Sequence, residues 1–403
     1  MQRIYTELIQ QHLLNYNQMA FISGPRQVGK TTIARNCAAG IDNTEYLNWD
    51  NVIHRKKILS LLENTQSNTK LVKTLANQNL IILDELHKFK NWKNYIKGFF
   101  DTYKDEYKII LTGSARLNIY RKGGDSLMGR YFNYTIHPFT VGEIVRPGIT
   151  KNLDILYPKK CDPDIFKSLF EFGGYPEPFL TQKKDFHKMW QNLRFQQLFR
   201  EEIRDSEDIK AVGQLELLAH ILQNQSGGMI NYTTLASKTQ VTNNTIKKWI
   251  SLLENFYFCF KLKPWSNNLS RALIKEPKIF LWDWSTINDI GAKFENFVAS
   301  HLLKSVNFWN ETGLGDYDLY YIRTKEKKEV DFLLTKNFIP WVIIETKHSS
   351  NNSLSKNLTY FKAKLNVPHA FQVVFDLPYV DKDCFEHKDP IIVPAQTFLS
   401  QLV

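Results

Sequence analysis

Residues 24–31 read Gly-Pro-Arg-Gln-Val-Gly-Lys-Thr, a complete G-x-x-x-x-G-K-[ST] string. No other feature constrains the fold as much, because such a loop cradles a phosphate only where a strand feeds a helix. The flanks supply both, an apolar run at Met19–Ser23 and a helical pattern at Lys30–Ala39. Gly24 and Gly29 let the backbone curl with its N–H groups inward, and the helix start adds positive potential. The expected cradle is Gly24, Pro25, Arg26, Gln27, Val28, Gly29, Lys30, Thr31 and Thr32. Lys30 is placed to reach β- and γ-phosphates and Thr31 to ligate a metal, so the expected cofactors are ATP and Mg²⁺.

A second motif is independent of the first. Leu80-Ile-Ile-Leu runs into Asp84-Glu85, an apolar strand ending in two carboxylates. Asp84 is expected to hold Mg²⁺ through water, and Glu85 to polarise the attacking water. A third strand, Ile109-Ile-Leu, ends in Thr112-Gly-Ser114-Ala-Arg116. Thr112 or Ser114 is a candidate sensor of the γ-phosphate, and Arg116 and Arg130 are candidate charge-stabilising arginines. The expected catalytic set is Glu85, Lys30, Ser114 and Arg130.

Short apolar runs alternate with helical patterns through residue 150, which predicts a mostly parallel α/β sheet. Expected strands are Met19–Ser23, Tyr46–Leu47, Leu80–Leu83, Lys108–Thr112 and Tyr134–His137. The order of P-loop, YLNWD, LIILDELHK, ILTGSAR, SLMGRY and GGYPEPF resembles a widespread prokaryotic family. In it an AAA-like P-loop ATPase of the ASCE division is fused to a C-terminal domain. The resemblance implies nucleotide binding and hydrolysis, and AAA relatives often form rings, so a homo-oligomer is an open expectation.

Beyond residue 150 the pattern turns helical, broken at Gly173–Phe179 by glycine and proline. Residues 231–275 then carry seven Lys and Arg against one acidic residue. Two short helices, the second capped by Thr242, precede strand patterns at Phe256–Lys263 and Lys275–Trp282, which describes a winged helix-turn-helix. Lys247, Lys248, Asn243 and Asn244 suit phosphate and base-edge contacts, so DNA is an expected partner. Winged helices also dock proteins, and a basic face also serves solubility.

The last segment offers Glu295 on a helix, Asp331 in Glu-Val-Asp-Phe, then Glu345-Thr-Lys347 on the next strand. A strand repeat of two puts Glu345 and Lys347 on one face. Asp331 joins them if the turn Lys336–Ile339 pairs Phe332–Leu334 with Val342–Ile344. This order resembles the PD-(D/E)XK nuclease-like fold, which implies a second metal site at Asp331 and Glu345 with Glu295 and Lys347 beside it. The same E-x-K pattern also arises as a cross-strand ion pair.

The expected division is therefore an ATPase domain at 1–150, a helical lid or linker at 151–230, a winged helix at 231–285 and a nuclease-like domain at 286–403. Net charge is +11 over 403 residues, with the excess in residues 1–150 and 231–275. No apolar run reaches the roughly 20 residues of a membrane span. Four scattered cysteines (Cys37, Cys161, Cys259, Cys384) show no zinc or disulfide spacing, which fits a reducing cytoplasm. Three functions stay open: an ATPase coupled to DNA binding, a nucleotide-dependent protein-binding switch with a silent C-terminal domain, and a metal-dependent nuclease regulated by ATP.

Overall fold

The computed structural model describes residues 1–63, 79–113, 127–149, 153–204, 211–266, 276–351 and 353–403. The chain divides into two compact units. One is Met1–His137 with Pro147–Ile149, and the other is Pro138–Arg146 with Thr150–Val403. The crossover falls before residue 150, so Pro138–Arg146 packs with the second unit.

In the first unit, strands β1 (Met19–Ser23), β2 (Thr44–Asn48), β3 (Asn79–Asp84), β4 (Tyr107–Thr112) and β5 (Tyr131–Thr135) form a parallel sheet in the order β2-β3-β4-β1-β5. The continuous apolar runs occupy the middle: β1, β3 and β4 are buried almost throughout, whereas β2 and β5 are half-exposed edges. That is the pattern of a parallel sheet covered on both faces. Helix Trp92–Tyr103 lays Trp92, Tyr95, Ile96, Phe99 and Phe100 onto it. The last strand starts three residues earlier than the sequence pattern suggests, because Tyr131, Asn133 and Thr135 are only half-buried and break the apolar signal. The strand order matters for function. β4 lies between the P-loop strand β1 and the acid-bearing strand β3, so the ends of all three share one edge of the sheet.

The second unit opens with helices. Pro163–Phe172 is capped by Asp162, whose side chain accepts from the Asp164 and Ile165 amides, and it stops at Gly173. Helix Tyr232–Thr239 is followed by Asn243–Asn255, whose N-cap Thr242 Oγ1 accepts from the Thr245 amide at 3.2 Å. Strands β6 (Cys259–Pro264) and β7 (Lys278–Leu281) then pair antiparallel. The apolar run Phe256–Phe258 closes the preceding helix turn instead of extending the strand.

These two strands do not stand apart. They join β8 (Tyr317–Arg323), β9 (Glu329–Lys336), β10 (Ile339–Lys347), β11 (His369–Val374) and β12 (Ile391–Pro394) in one sheet, ordered β12-β11-β10-β9-β8-β6-β7. The expected boundary between 231–285 and 286–403 therefore runs through a continuous sheet. A 22-residue helix, Ile290–Glu311, capped by Asp289, packs on that sheet. All four cysteines are free and buried. Among the described residues no helix is long and apolar enough to cross a membrane.

Candidate nucleotide site and the C-terminal carboxylate cluster

The loop after β1 has the backbone its glycines allow. Gly24 has φ +141°, and a Cβ there would meet the Ile136 carbonyl oxygen at 2.5 Å, so both conformation and space demand glycine. Gly29, at φ +98°, opens the helix Lys30–Asn36. Gln27 is also left-handed, at φ +62°. Beneath the loop, the buried Arg3 guanidinium donates to the Val28 carbonyl at 2.9 Å and to the His137 carbonyl. Arg3 lies just before the first helix, where the sequence gives only an arginine near a terminus.

Lys30 is buried, and its Nζ donates to the Gly24 and Pro25 carbonyls at 3.0 and 2.7 Å, which aims it across the cradle. Thr31 Oγ1 donates to Asp84 Oδ2 at 3.0 Å. Thr112 Oγ1 donates to Asp84 Oδ1, and Tyr46 OH to Asp84 Oδ2. Three hydroxyls thus converge on one carboxylate that is 3% exposed. Thr112 meets this carboxylate directly. Tyr46 comes from the YLNWD segment, and its role is invisible without the register that sets Asn48 beside Asp84. Burial and the Asp84 hydrogen bond raise the Tyr46 phenol above its ordinary value.

Glu85 follows Asp84 in a left-handed conformation at φ +57°, which turns the chain out of the strand. Its Oε2 lies 3.2 Å from Lys88 Nζ and 3.5 Å from His87 Nε2. Ser114 and Arg116 lie outside the described residues. Arg130 is not brought to the cradle within its own chain. It precedes β5, level with Met19 at the far edge of the sheet, and pairs with Asp101 at 2.8 Å.

In the second unit the pairing across the Lys336–Ile339 turn is Val342 with Leu334, Ile343 with Leu333 and Ile344 with Phe332. The register sets Asp331 across from Glu345. Asp331 Oδ2 accepts from the Thr346 amide and hydroxyl, both at 2.8 Å, and Glu345 Oε1 accepts from Lys347 Nζ at 2.9 Å. Glu345 Oε2 is buried with no hydrogen-bond partner among the described residues.

A residue with no role in the sequence reading joins them. Lys278, on β7, reaches Glu295 Oε1 at 3.0 Å, Glu329 Oε1 at 2.6 Å and Asp331 Oδ1 at 3.9 Å. The available signal was a lysine inside the apolar run Lys278-Ile-Phe-Leu, since a strand buried on both faces forces a lysine to find acids. Gly227, at φ +78°, makes room for Glu295, whose Oε2 a Cβ would approach to 2.9 Å. Burial, then the Asp331 charge, pushes Glu295 up to about 8 and Glu345 up to about 7. Burial works against the Lys278 charge, yet Glu295, Asp331 and Glu329 together raise it above its ordinary value. No group of three or more His, Cys, Asp or Glu among the described residues is arranged to hold a metal ion.

On the helix pair, Asn243 and Asn244 open the second helix and are exposed, as are Lys247 and Lys248. Lys247 Nζ sits 5.5 Å from the Tyr232 ring centroid, and Asn243 Nδ2 donates to Thr233 Oγ1 at 3.4 Å.

Residues 16–145 match the family model described as an AAA domain. The N-terminal unit is an AAA-like P-loop domain. Residues 163–295 and 290–383 match two models, each described as a domain of unknown function. An uncharacterized Haemophilus influenzae protein is 21% identical over 87% of this chain and 89% of its own length. A Mycobacterium tuberculosis relative, also uncharacterized, is 19% identical over 84% and 72%. Among solved structures, the Aeropyrum pernix ORC1 protein in complex with DNA aligns over 74% of this chain and 93% of its own, at 13% identity and TM-score 0.34. AMPPCP-bound DnaA from Aquifex aeolicus aligns over 62% and 86%, at 14% identity and TM-score 0.30. Both scores lie below the level at which two chains share one fold along their length.

Proposed function

We propose that the N-terminal unit binds ATP with Mg²⁺ and hydrolyses it, and that this cycle is coupled to DNA engaged by the second unit. The observation that carries the reading is the meeting of Lys30, Thr31 and Asp84 at one sheet edge, with Thr31 Oγ1 3.0 Å from Asp84 Oδ2. Thr31 and Asp84 would hold Mg²⁺, whose charge offsets that on the phosphates. Lys30 binds and orients the β- and γ-phosphates, and Glu85 orients the attacking water and takes up its proton. In the second unit the helix pair and its hairpin act as a winged helix. Lys247, Lys248, Asn243 and Asn244 face the DNA backbone and base edges, supported by the basic excess of residues 231–275. The C-terminal sheet is read as nuclease-like, on the order Glu295, Asp331, Glu345, Lys347.

The placement of Lys278 among the acids favours a second reading of that last part, a C-terminal domain that binds without cutting. The test of the ATPase reading compares two variants for ATP binding and phosphate release. Lys30→Ala should weaken ATP binding by roughly 10- to 100-fold, the worth of a charged hydrogen bond. Glu85→Gln should bind ATP as wild type does and turn over about 100-fold more slowly. Wild-type turnover in both variants sinks the assignment.

A further inference from the structure

We propose that Lys278 is the resident cation of the C-terminal carboxylate cluster, so that this domain holds the cluster together without a divalent metal ion. The nuclease-like resemblance implies a metal at Asp331 and Glu345, and the residues present do not fit one. The inference rests on second-unit residues alone and is independent of ATP binding by the first.

Four carboxylates meet here: Glu295 from the helix Ile290–Glu311, Glu329 and Asp331 from β9, and Glu345 from β10. Their oxygens are already assigned. Glu329 Oε1 and Glu295 Oε1 accept from Lys278, at 2.6 and 3.0 Å. Glu329 Oε2 accepts from Arg323 at 2.7 Å. Asp331 Oδ2 is taken by Thr346, and Glu345 Oε1 by Lys347. Asp331 Oδ1 faces Lys278 at 3.9 Å. Lys278 is 4% exposed, so its ammonium cannot retreat to water and must spend its donors on these acids.

A divalent ion needs several oxygens at about 2.0–2.6 Å together. Glu345 Oε2 is a buried oxygen without a partner, and a single oxygen is a place for one hydrogen bond, not a coordination shell. A dication entering here would also stand against the Lys278 charge in a poorly solvated site, where repulsion is screened little. Lys278, Lys347 and Arg323 bring three positive charges to four acids, and a bound proton relieves the remainder. The cluster thus carries its own neutralisation, the work a metal does in a hydrolytic site.

The experiment uses the full-length, nucleotide-free chain with Mn²⁺ as the probe, followed by the EPR signal of the free ion. Wild type and Asp331→Asn should bind Mn²⁺ identically up to about 1 mM, since any binding at the P-loop is common to both. Lys278→Met, which keeps the length of the side chain without its charge, should gain one site at least tenfold tighter, and adding Asp331→Asn should remove it. A wild-type Mn²⁺ site that Asp331→Asn abolishes overturns the proposal. So does a folded Lys278→Met that binds no more Mn²⁺ than wild type. If Lys278→Met does not fold, the wild-type and Asp331→Asn titrations still decide. Melting then gives a second reading: Lys278→Arg should fold in metal-free buffer, and a requirement for Mn²⁺ to do so counts against the resident-cation role.

Discussion

Asp84 and Asp331 are both strand-borne, mostly buried acids, and they are met by different chemistry. Three hydroxyls, from Thr31, Tyr46 and Thr112, converge on Asp84. Asp331 sits among an amide, a hydroxyl and the ammonium of Lys278. A hydroxyl orients a carboxylate and leaves its charge available to an incoming cation. An ammonium brings the opposite charge and closes the account within the protein. Two sites with similar outlines in sequence, an acid at a strand and a lysine nearby, are therefore suited to opposite tasks.

The sharpest way to break this comparison is to remove the charge at each site in turn. Asp84→Asn should reduce Mg²⁺-dependent ATP turnover by about 100-fold or more, because the carboxylate there has no substitute. Asp331→Asn should leave ATP turnover within about twofold of wild type. Equal losses in a phosphate-release assay would mean that the two acids serve one process.

Next in size is the pH dependence of stability. Glu295 and Glu345 are raised from an ordinary value of 4.5 to about 8 and about 7. The folded state therefore holds protons that the unfolded chain has already lost. Their contribution is fully present below about pH 4.5 and disappears as pH rises through 7 and 8, with a slope of at most about 1.4 kcal/mol per pH unit for each carboxyl. Urea midpoints should be higher at pH 5.5 than at pH 8.5, and Glu295→Gln should flatten the difference. A midpoint that rises across this window contradicts the shared proton.

Lys247→Ala combined with Lys248→Ala comes third. It should weaken duplex DNA binding several-fold and lower the slope of log affinity against log salt by roughly two charges' worth. An unchanged slope moves the helix pair to the protein-docking class. Smallest of all, Arg130→Ala should leave the melting midpoint and single-chain ATP turnover unaltered, because its partner Asp101 is exposed and distant from the cradle. A turnover defect that appears only at concentrations where copies associate would mark Arg130 as acting on a neighbouring chain.

Local motifs were legible and long-range partnerships were not. The P-loop and the Asp84–Glu85 strand announce themselves because each is a short run whose residues act together. Buried strands such as Met19–Ser23 and Tyr317–Arg323 carry the apolar signal end to end. The register of β9 with β10 also followed from turn length and alternation. Edge strands carry a weaker apolar signal, which is why Tyr131–Thr135 shifts and Ile391–Pro394 passes unnoticed. Lys278 and Glu329 are 51 positions apart, and Tyr46 and Asp84 38, so nothing local ties them together. Their roles become visible only through the pairing of strands that no periodicity announces. Reading residues 231–285 as a separate module failed for the same reason: β6 pairs in parallel with β8, a partner 54 residues later in the chain.

That parallel pairing, Lys263 with Tyr320 and Pro264 with Tyr321, has a mechanical consequence. A tether would let the helix pair swing while the C-terminal sheet stayed still. Here a load applied to helix Asn243–Asn255 passes through β6 into backbone hydrogen bonds of the seven-stranded sheet, which transmits force as one stiff plate. Torque gathered at the helix pair is thus delivered across the sheet, and in a single-molecule pulling trace the two should yield in one rip instead of two.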